Sequence, residues 1–282
     1  MSDRILICTD LDRTLLPNGS QPESPQARPL FSALVSRPEI VLAYVSGRHK
    51  ELVEQAIAEY QIPKPDFVIG DVGTSLYEVG DNGWHASEAW ANEIAPDWAG
   101  HDHAYLRQLF AHIPALRLQE DAKQNRFKLS YYLDMDVDVD QLQSDIRTLL
   151  NDKSVNAELI YSVDEAERVG LLDVLPASAT KYHAVEFLIE MLGLSLDHTV
   201  FAGDSGNDLP VLVSRIHSVL VGNASTAVRE EAERLASQQG TESALYLAKG
   251  NFMGMNGNYS AGILEGLAHY LPQTQQWMTL DD

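Results

Sequence analysis

Short apolar runs that stop abruptly at polar, glycine-bearing turns set the pattern of this chain. The first is Ile5-Leu6-Ile7-Cys8, followed at once by Thr9-Asp10-Leu11-Asp12-Arg13-Thr14. An unbroken apolar run of this kind predicts a strand buried on both faces, as in a parallel sheet. The pattern recurs at Ile40 to Val45 before Ser46-Gly47-Arg48, and at Asp66 to Ile69 before Gly70-Asp71-Val72-Gly73. It recurs again at Leu171 to Pro176, at Thr199 to Ala202 before Gly203-Asp204-Ser205-Gly206-Asn207-Asp208, and at His217 to Val221 before Gly222-Asn223-Ala224. Between these runs, helices are predicted around Leu30–Val35, over His49–Tyr60, from Lys181 to about Leu192, and over Ala261–Tyr270. Strand and helix in alternation predict an α/β fold with a parallel sheet and right-handed crossovers. Ligands bind such sheets beyond the carboxyl ends of the strands. The polar turns just named therefore fall on one rim.

The pattern breaks in the middle of the chain. From about Asp81 to Gly100 the sequence is rich in Trp, Asn and Gly, and an α+β pattern follows: helices over 101–112 and 139–150, strands over 125–133 and 157–163. Residues 81–169 thus read as a unit inserted into an α/β core formed by 1–80 and 170–282. Asp134, Asp136, Asp138 and Asp140 alternate, but Val139 and Asp145 stand where a calcium loop needs Gly and Glu. They read as turn and helix-start residues. Trp84, Trp90 and Trp98 read as hinge or core residues before they read as a sugar platform.

Composition narrows the function classes. A chain of 282 residues can bury two cores. Its formal net charge of −21 argues against nucleic acid and anionic membrane as partners, and requires local cations at any site for an anion. No apolar run reaches membrane-spanning length, and no signal-peptide core precedes the first strand. The single cysteine, Cys8, cannot form an internal disulfide and reads as a buried thiol. A cytoplasmic monomer or small homo-oligomer is expected. The Asn-x-Ser sequons at Asn18, Asn223 and Asn258 carry no meaning in that setting.

The chemistry lies in the strand-end turns. Asp10 and Asp12, side by side, repel each other and need a cation or a proton to coexist. With Asp204 and Asp208 they bring up to four carboxylates to one rim, a donor set that suits a hard divalent cation, Mg²⁺ best of all. Ser46-Gly47-Arg48, between a strand and a helix, offers a hydroxyl and backbone N–H groups to an oxyanion, although Ser is also an ordinary helix cap. Lys181 opens a helix, where the helix dipole disfavours a cation. Nearby carboxylates and phosphate would explain it. Metal, nucleophile and oxyanion cradle together suit phosphoryl transfer.

Asp10-Leu11-Asp12-Arg13-Thr14, Ser46-Gly47-Arg48, Lys181 and Gly203 to Asp208 resemble, in order and context, the four motifs of the haloacid dehalogenase superfamily of phosphatases. The inserted unit resembles the α+β cap (type C2B) of its Cof-like IIB branch, on a Rossmann-like core. Lys128-Leu129-Ser130-Tyr131 and Ser260 to Glu265 extend the likeness to the sucrose-phosphate phosphatases. The resemblance implies that Asp10 is the nucleophile and Asp12 the general acid and base. Ser46 and Lys181 would hold the phosphoryl group. Asp10, the Asp12 carbonyl and Asp204 would bind Mg²⁺, supported by Asp208. Gly47 and Lys128 would add substrate contacts, and Arg48 and Asn207 would contact the substrate or orient neighbouring residues. The implied substrate is a phosphorylated sugar: sucrose 6-phosphate first, with mannosylfructose, glucosylglycerol and trehalose phosphates as alternatives. A phosphomutase and a non-catalytic sugar-phosphate binder are further alternatives. The sequence departs from the family pattern at Arg13, where a small residue is commoner, and at Thr180, where glycine is frequent.

Overall fold

The computed structural model describes residues 4–165 and 167–280. Its strands are β1 (Ile5–Thr9), β2 (Ile40–Val45), β3 (Phe67–Gly70), β4 (Ser75–Gly80), β5 (Gly83–Ala86), β6 (Arg117–Leu118), β7 (Leu129–Leu133), β8 (Ala157–Asp164), β9 (Val169–Pro176), β10 (Thr199–Gly203), β11 (His217–Leu220) and β12 (Leu245–Leu247). They form an eight-stranded sheet in the order β12-β11-β10-β1-β2-β3-β4-β5 and a four-stranded sheet in the order β6-β7-β9-β8.

In the large sheet β12, β11, β10, β1, β2 and β3 run parallel, and β4 and β5 form an antiparallel hairpin at the edge. All of β1 and β2 is buried, which is why both are almost wholly apolar. Chain order proceeds from β1 outward through β2 and β3, then restarts at β10 on the other side of β1. The boundary between β1 and β10 is therefore a topological switch point, where open α/β sheets bind ligands. Thr9 is level with Tyr44 on one side and Ala202 on the other, so the turns after β1, β2 and β10 emerge together. Helices Ala27–Val35 and Ser260–Tyr270 cover one face, contributing Leu30, Phe31, Leu34, Ile263, Leu264 and Leu267 to its core. Gly266 is required in the second of these helices, because a Cβ there would collide with the Val219 side chain.

By compactness the chain divides into a unit made of residues up to 73, 77–86 and from 181 onward, and a second unit made of 74–76 and 87–180. The second unit is an antiparallel sheet with helices Glu88–Ile94, His103–Phe110 and Val139–Asp152. Trp90 and Trp98 are fully buried in it, and Trp98 meets Phe127 edge to face at 5.5 Å between ring centres. Trp84 is partly buried in the first unit against Tyr77. Asp138 caps helix Val139–Asp152 by accepting the Gln141 N–H, the helix-start role expected of it.

Two expectations are corrected. The run Leu171 to Pro176 was placed in the parallel core, but β9 pairs antiparallel with β7 and β8 at the centre of the small sheet. Leu172 and Val174 are buried while Leu171 and Asp173 are half-buried, so this strand has one covered face, which its apolar composition does not reveal. The composition break at Asp81 is a hairpin turn rather than a departure from the large sheet: β4 pairs with β5 across Asp81-Asn82, and Gly83 takes a φ of +111°. Cys8 is fully buried, which pushes its thiol well above the usual range. Among the described residues no helix is long and apolar enough to cross a membrane.

Candidate active site

Asp10 follows β1 directly. Its N–H donates to the Ala202 carbonyl at 2.9 Å, which continues the ladder with β10 and leaves the side chain on the rim, almost fully buried. The turn after β10 folds tightly around Asp208. The Asp204 and Ser205 N–H groups donate to Asp208 Oδ2 at 3.2 Å each, and Ser205 Oγ donates to the same atom at 3.1 Å. A Cβ at position 203 would lie 2.7 Å from that carboxyl group, so glycine is needed there. Lys181, at the start of helix Lys181–Leu192, is 4% exposed. Its Nζ donates to Asp10 Oδ1 at 3.1 Å and to Asp208 Oδ1 at 2.7 Å. A buried ammonium against the helix dipole is thus explained by two carboxylates.

One carboxylate oxygen from each of Asp10, Asp204 and Asp208 lies within 4.8 Å of the others. Burial pushes the Asp10 carboxyl up; Lys181 opposes this, while Asp208 and Asp204 add to it. Asp204 is pushed up to about 6, first by burial and then by Asp208, against Arg13 and Thr14. Burial also works against the Lys181 charge, but Asp10 and Asp208 outweigh it and hold the amine protonated. Buried, oxygen-only and short of positive charge, this trio fits a hard divalent cation.

Asp12 is in a different environment, with its side chain 42% exposed. Arg48 grips it with two hydrogen bonds, Nε to Oδ2 at 2.8 Å and Nη2 to Oδ1 at 2.6 Å, and Asn18 Nδ2 donates to Oδ1 at 2.7 Å. Partial burial would raise its pKa, but these charge-assisted bonds outweigh burial and hold the carboxyl below its ordinary value. Ser46 is buried and accepts the Arg48 N–H at 3.2 Å. Asp10, Asp12, Arg13, Ser46, Gly47, Arg48, Asp204 and Asn207 line one cavity of about 340 Å³.

Of the residues singled out from sequence, Asp10, Asp12, Ser46, Gly47, Arg48, Lys181, Asp204, Asn207 and Asp208 all lie in the first unit. Lys128 lies in the second, where its Nζ is 4.0 Å from Asp173 Oδ2. Asp173 Oδ1 also accepts Ser130 Oγ at 2.5 Å. Three residues of the site carried no functional expectation. Thr14 donates to Asp204 Oδ1 at 3.2 Å. Asn18 accepts the Arg13 N–H at 2.8 Å besides binding Asp12. Asn223 donates to the Arg13 carbonyl at 2.6 Å and accepts the Tyr259 N–H at 2.8 Å. A signal did exist for Asn223: it follows β11 as Asp204 follows β10, so the strand-end rule covers both.

The sequence matches the family model described as sucrose-6F-phosphate phosphohydrolase over residues 3–271. It is 54% identical, over 99% of this chain and 75% of the other, to a Nitrosococcus oceani protein named only as a HAD-like hydrolase. It is 30% identical to the mannosylfructose-phosphate phosphatase of Agrobacterium fabrum, over 94% of this chain and 96% of that one. The sucrose-phosphatase of Synechocystis, solved with sucrose and phosphate, shares the fold at a TM-score of 0.66 and 23% identity, covering 95% of this chain and 98% of that one. The chain belongs to the sucrose-6F-phosphate phosphohydrolase family of haloacid dehalogenase-like hydrolases, and is a phosphoric monoester hydrolase.

Proposed function

We propose that the protein is a Mg²⁺-dependent phosphatase of a disaccharide phosphate, sucrose 6-phosphate first, working through a phosphoryl group carried on Asp10. The observation that carries this reading is the buried Lys181 bridge between Asp10 and Asp208, with Asp10 and Asp204 lining the same cavity as Ser46 and Asp12. The family match supports a sugar ester as substrate. Mannosylfructose phosphate is the second candidate, on the strength of the full-length likeness to a phosphatase of that name.

Asp10, Asp204 and Asp208, with the Asp12 carbonyl, would hold the ion. When bound, it supplies the positive charge that lets a carboxylate approach an anionic phosphate. An Asp10 carboxylate oxygen attacks phosphorus, and the bond from phosphorus to the sugar oxygen breaks. Asp12 gives its proton to that oxygen. In the second half Asp12 takes a proton from water as the water oxygen attacks phosphorus. The bond to Asp10 breaks, leaving inorganic phosphate and the original carboxylate. Ser46, Lys181 and the Gly47 N–H hold the phosphoryl oxygens. Asn207 adds a polar contact to the substrate.

Asp12 clamped by Arg48 and Asn18 is an ionised carboxylate, prepared for the second half of this cycle. The first half needs a proton on it, so substrate binding has to loosen the Arg48 pair. Phosphate release from a panel of monosaccharide and disaccharide phosphates, with and without Mg²⁺, tests the proposal. Metal-dependent release, fastest from a disaccharide phosphate, is expected. Release from none of them would reject it.

A further inference from the structure

Arg13 carries a long charged side chain on a backbone that suits a small residue. Its φ is +60°, in the left-handed region that a Cβ disfavours by roughly 1–2 kcal/mol and that glycine or asparagine adopts more readily. Two asparagines hold it there: Asn18 accepts its N–H and Asn223 donates to its carbonyl. The main chain at this residue is fixed from both sides, and the side chain is left to move. That side chain is 48% exposed, yet its Nε lies 3.4 Å from Oδ2 of the buried Asp204.

The charge distribution explains why it is there. Among the described residues Lys181 bonds to Asp10 and Asp208 and not to Asp204. Asp204 has a neutral donor, Thr14, on its other oxygen. Arg13 therefore supplies positive charge to the member of the trio that the buried lysine does not bond. A divalent ion held by Asp10, Asp204 and Asp208 would supply that charge more strongly and from closer. The arginine would then be redundant and would be repelled by the ion.

We infer that Arg13 is a resident counter-cation for Asp204 which the metal displaces: it lowers metal affinity, and on loading its guanidinium leaves Asp204 for the cavity that it lines. The inference rests on the metal site proposed above. Arg13 is on this view a positioning residue, acting through Asp204.

Calorimetric titration of Mg²⁺ into wild type, R13N and R13K tests it, together with the ¹⁵N resonance of the Arg13 Nε–H during the same titration. Asparagine tolerates the left-handed backbone, and lysine retains the charge. R13N should bind Mg²⁺ about two- to fivefold more tightly, the range expected for release of one half-exposed ion pair. R13K should fall between R13N and wild type. The Arg13 Nε resonance should move as the ion saturates the protein. Mg²⁺ binding that is equal or weaker in R13N, or an Nε resonance that does not move at saturation, would overturn the inference alone. Absence of Mg²⁺ binding in wild type would overturn the metal site and the inference with it.

Discussion

Both compact units bury polar clusters, and the two clusters are built to opposite rules. In the second unit, Lys128 lies 4.0 Å from Asp173, and Ser130, level with Asp173 on the neighbouring antiparallel strand, donates to that carboxylate. In the first unit three buried carboxylates share one buried lysine, with a half-exposed arginine at the margin. The first arrangement sets a cation beside the anion and suits a structural role. The second leaves Asp10 and Asp204 with raised pKa values, a cost in stability that a purely structural cluster would not need. Imbalance of charge, more than burial or hydrogen bonding, separates the chemical site from the structural one.

The sharpest way to break this contrast is to remove the bridging cation. Lys181→Met leaves Asp10 and Asp208 buried without their partner, and should destabilise the metal-free protein by about 3–5 kcal/mol, read from urea unfolding. A loss below about 1 kcal/mol would mean that the cluster is already neutralised by protons. Activity should fall with it, because in the proposed mechanism Lys181 also holds the phosphoryl group.

A smaller effect is expected from pH. The folded-state pKa of Asp204 lies above its unfolded value, so in the metal-free protein its contribution to stability is present at low pH and lost as pH rises towards about 6. Bound Mg²⁺ requires the ionised carboxylate and reverses that trend. The rise in Tm on adding Mg²⁺ should therefore shrink between about pH 7.5 and about pH 5. A rise in Tm that is independent of pH would show that Asp204 does not hold the ion.

The smallest effect is expected in the cluster of the second unit. Asp173→Asn keeps the shape and an acceptor for Ser130, and removes the charge facing Lys128 at 4.0 Å. A loss of about 1 kcal/mol or less in unfolding free energy should follow, with no change in Mg²⁺ affinity. A loss as large as that of Lys181→Met would erase the distinction between the two clusters.

The parallel sheet and its rim were legible in the sequence because two simple signals coincide there. An apolar run marks a buried strand, and the residues just after it mark the carboxyl edge. Asp10, Ser46 and Asp204 were found in that way. Leu171 to Pro176 misled because its apolar composition suggests coverage of both faces, whereas Leu171 and Asp173 are only half-buried, and because composition says nothing of strand direction. Asn18 and Asn223 were passed over as sequons. Their role depends on side-chain bonds to the backbone at Arg13, in one case across 210 residues, and no periodic pattern records such contacts. For Arg48 the sequence left two readings, a substrate contact or an orienter of neighbours, and which neighbour it holds, Asp12, is a contact across 36 residues that no local pattern records.

The measurement that bears most directly on the mechanism is the rate of phosphate release by Asp10→Asn against wild type, on the best disaccharide phosphate at saturating Mg²⁺. A fall of at least about a thousandfold, roughly 4 kcal/mol in the barrier, is predicted. A variant that keeps more than about a tenth of the wild-type rate, a change of under about 1.4 kcal/mol, would contradict the assignment of Asp10 as the nucleophile.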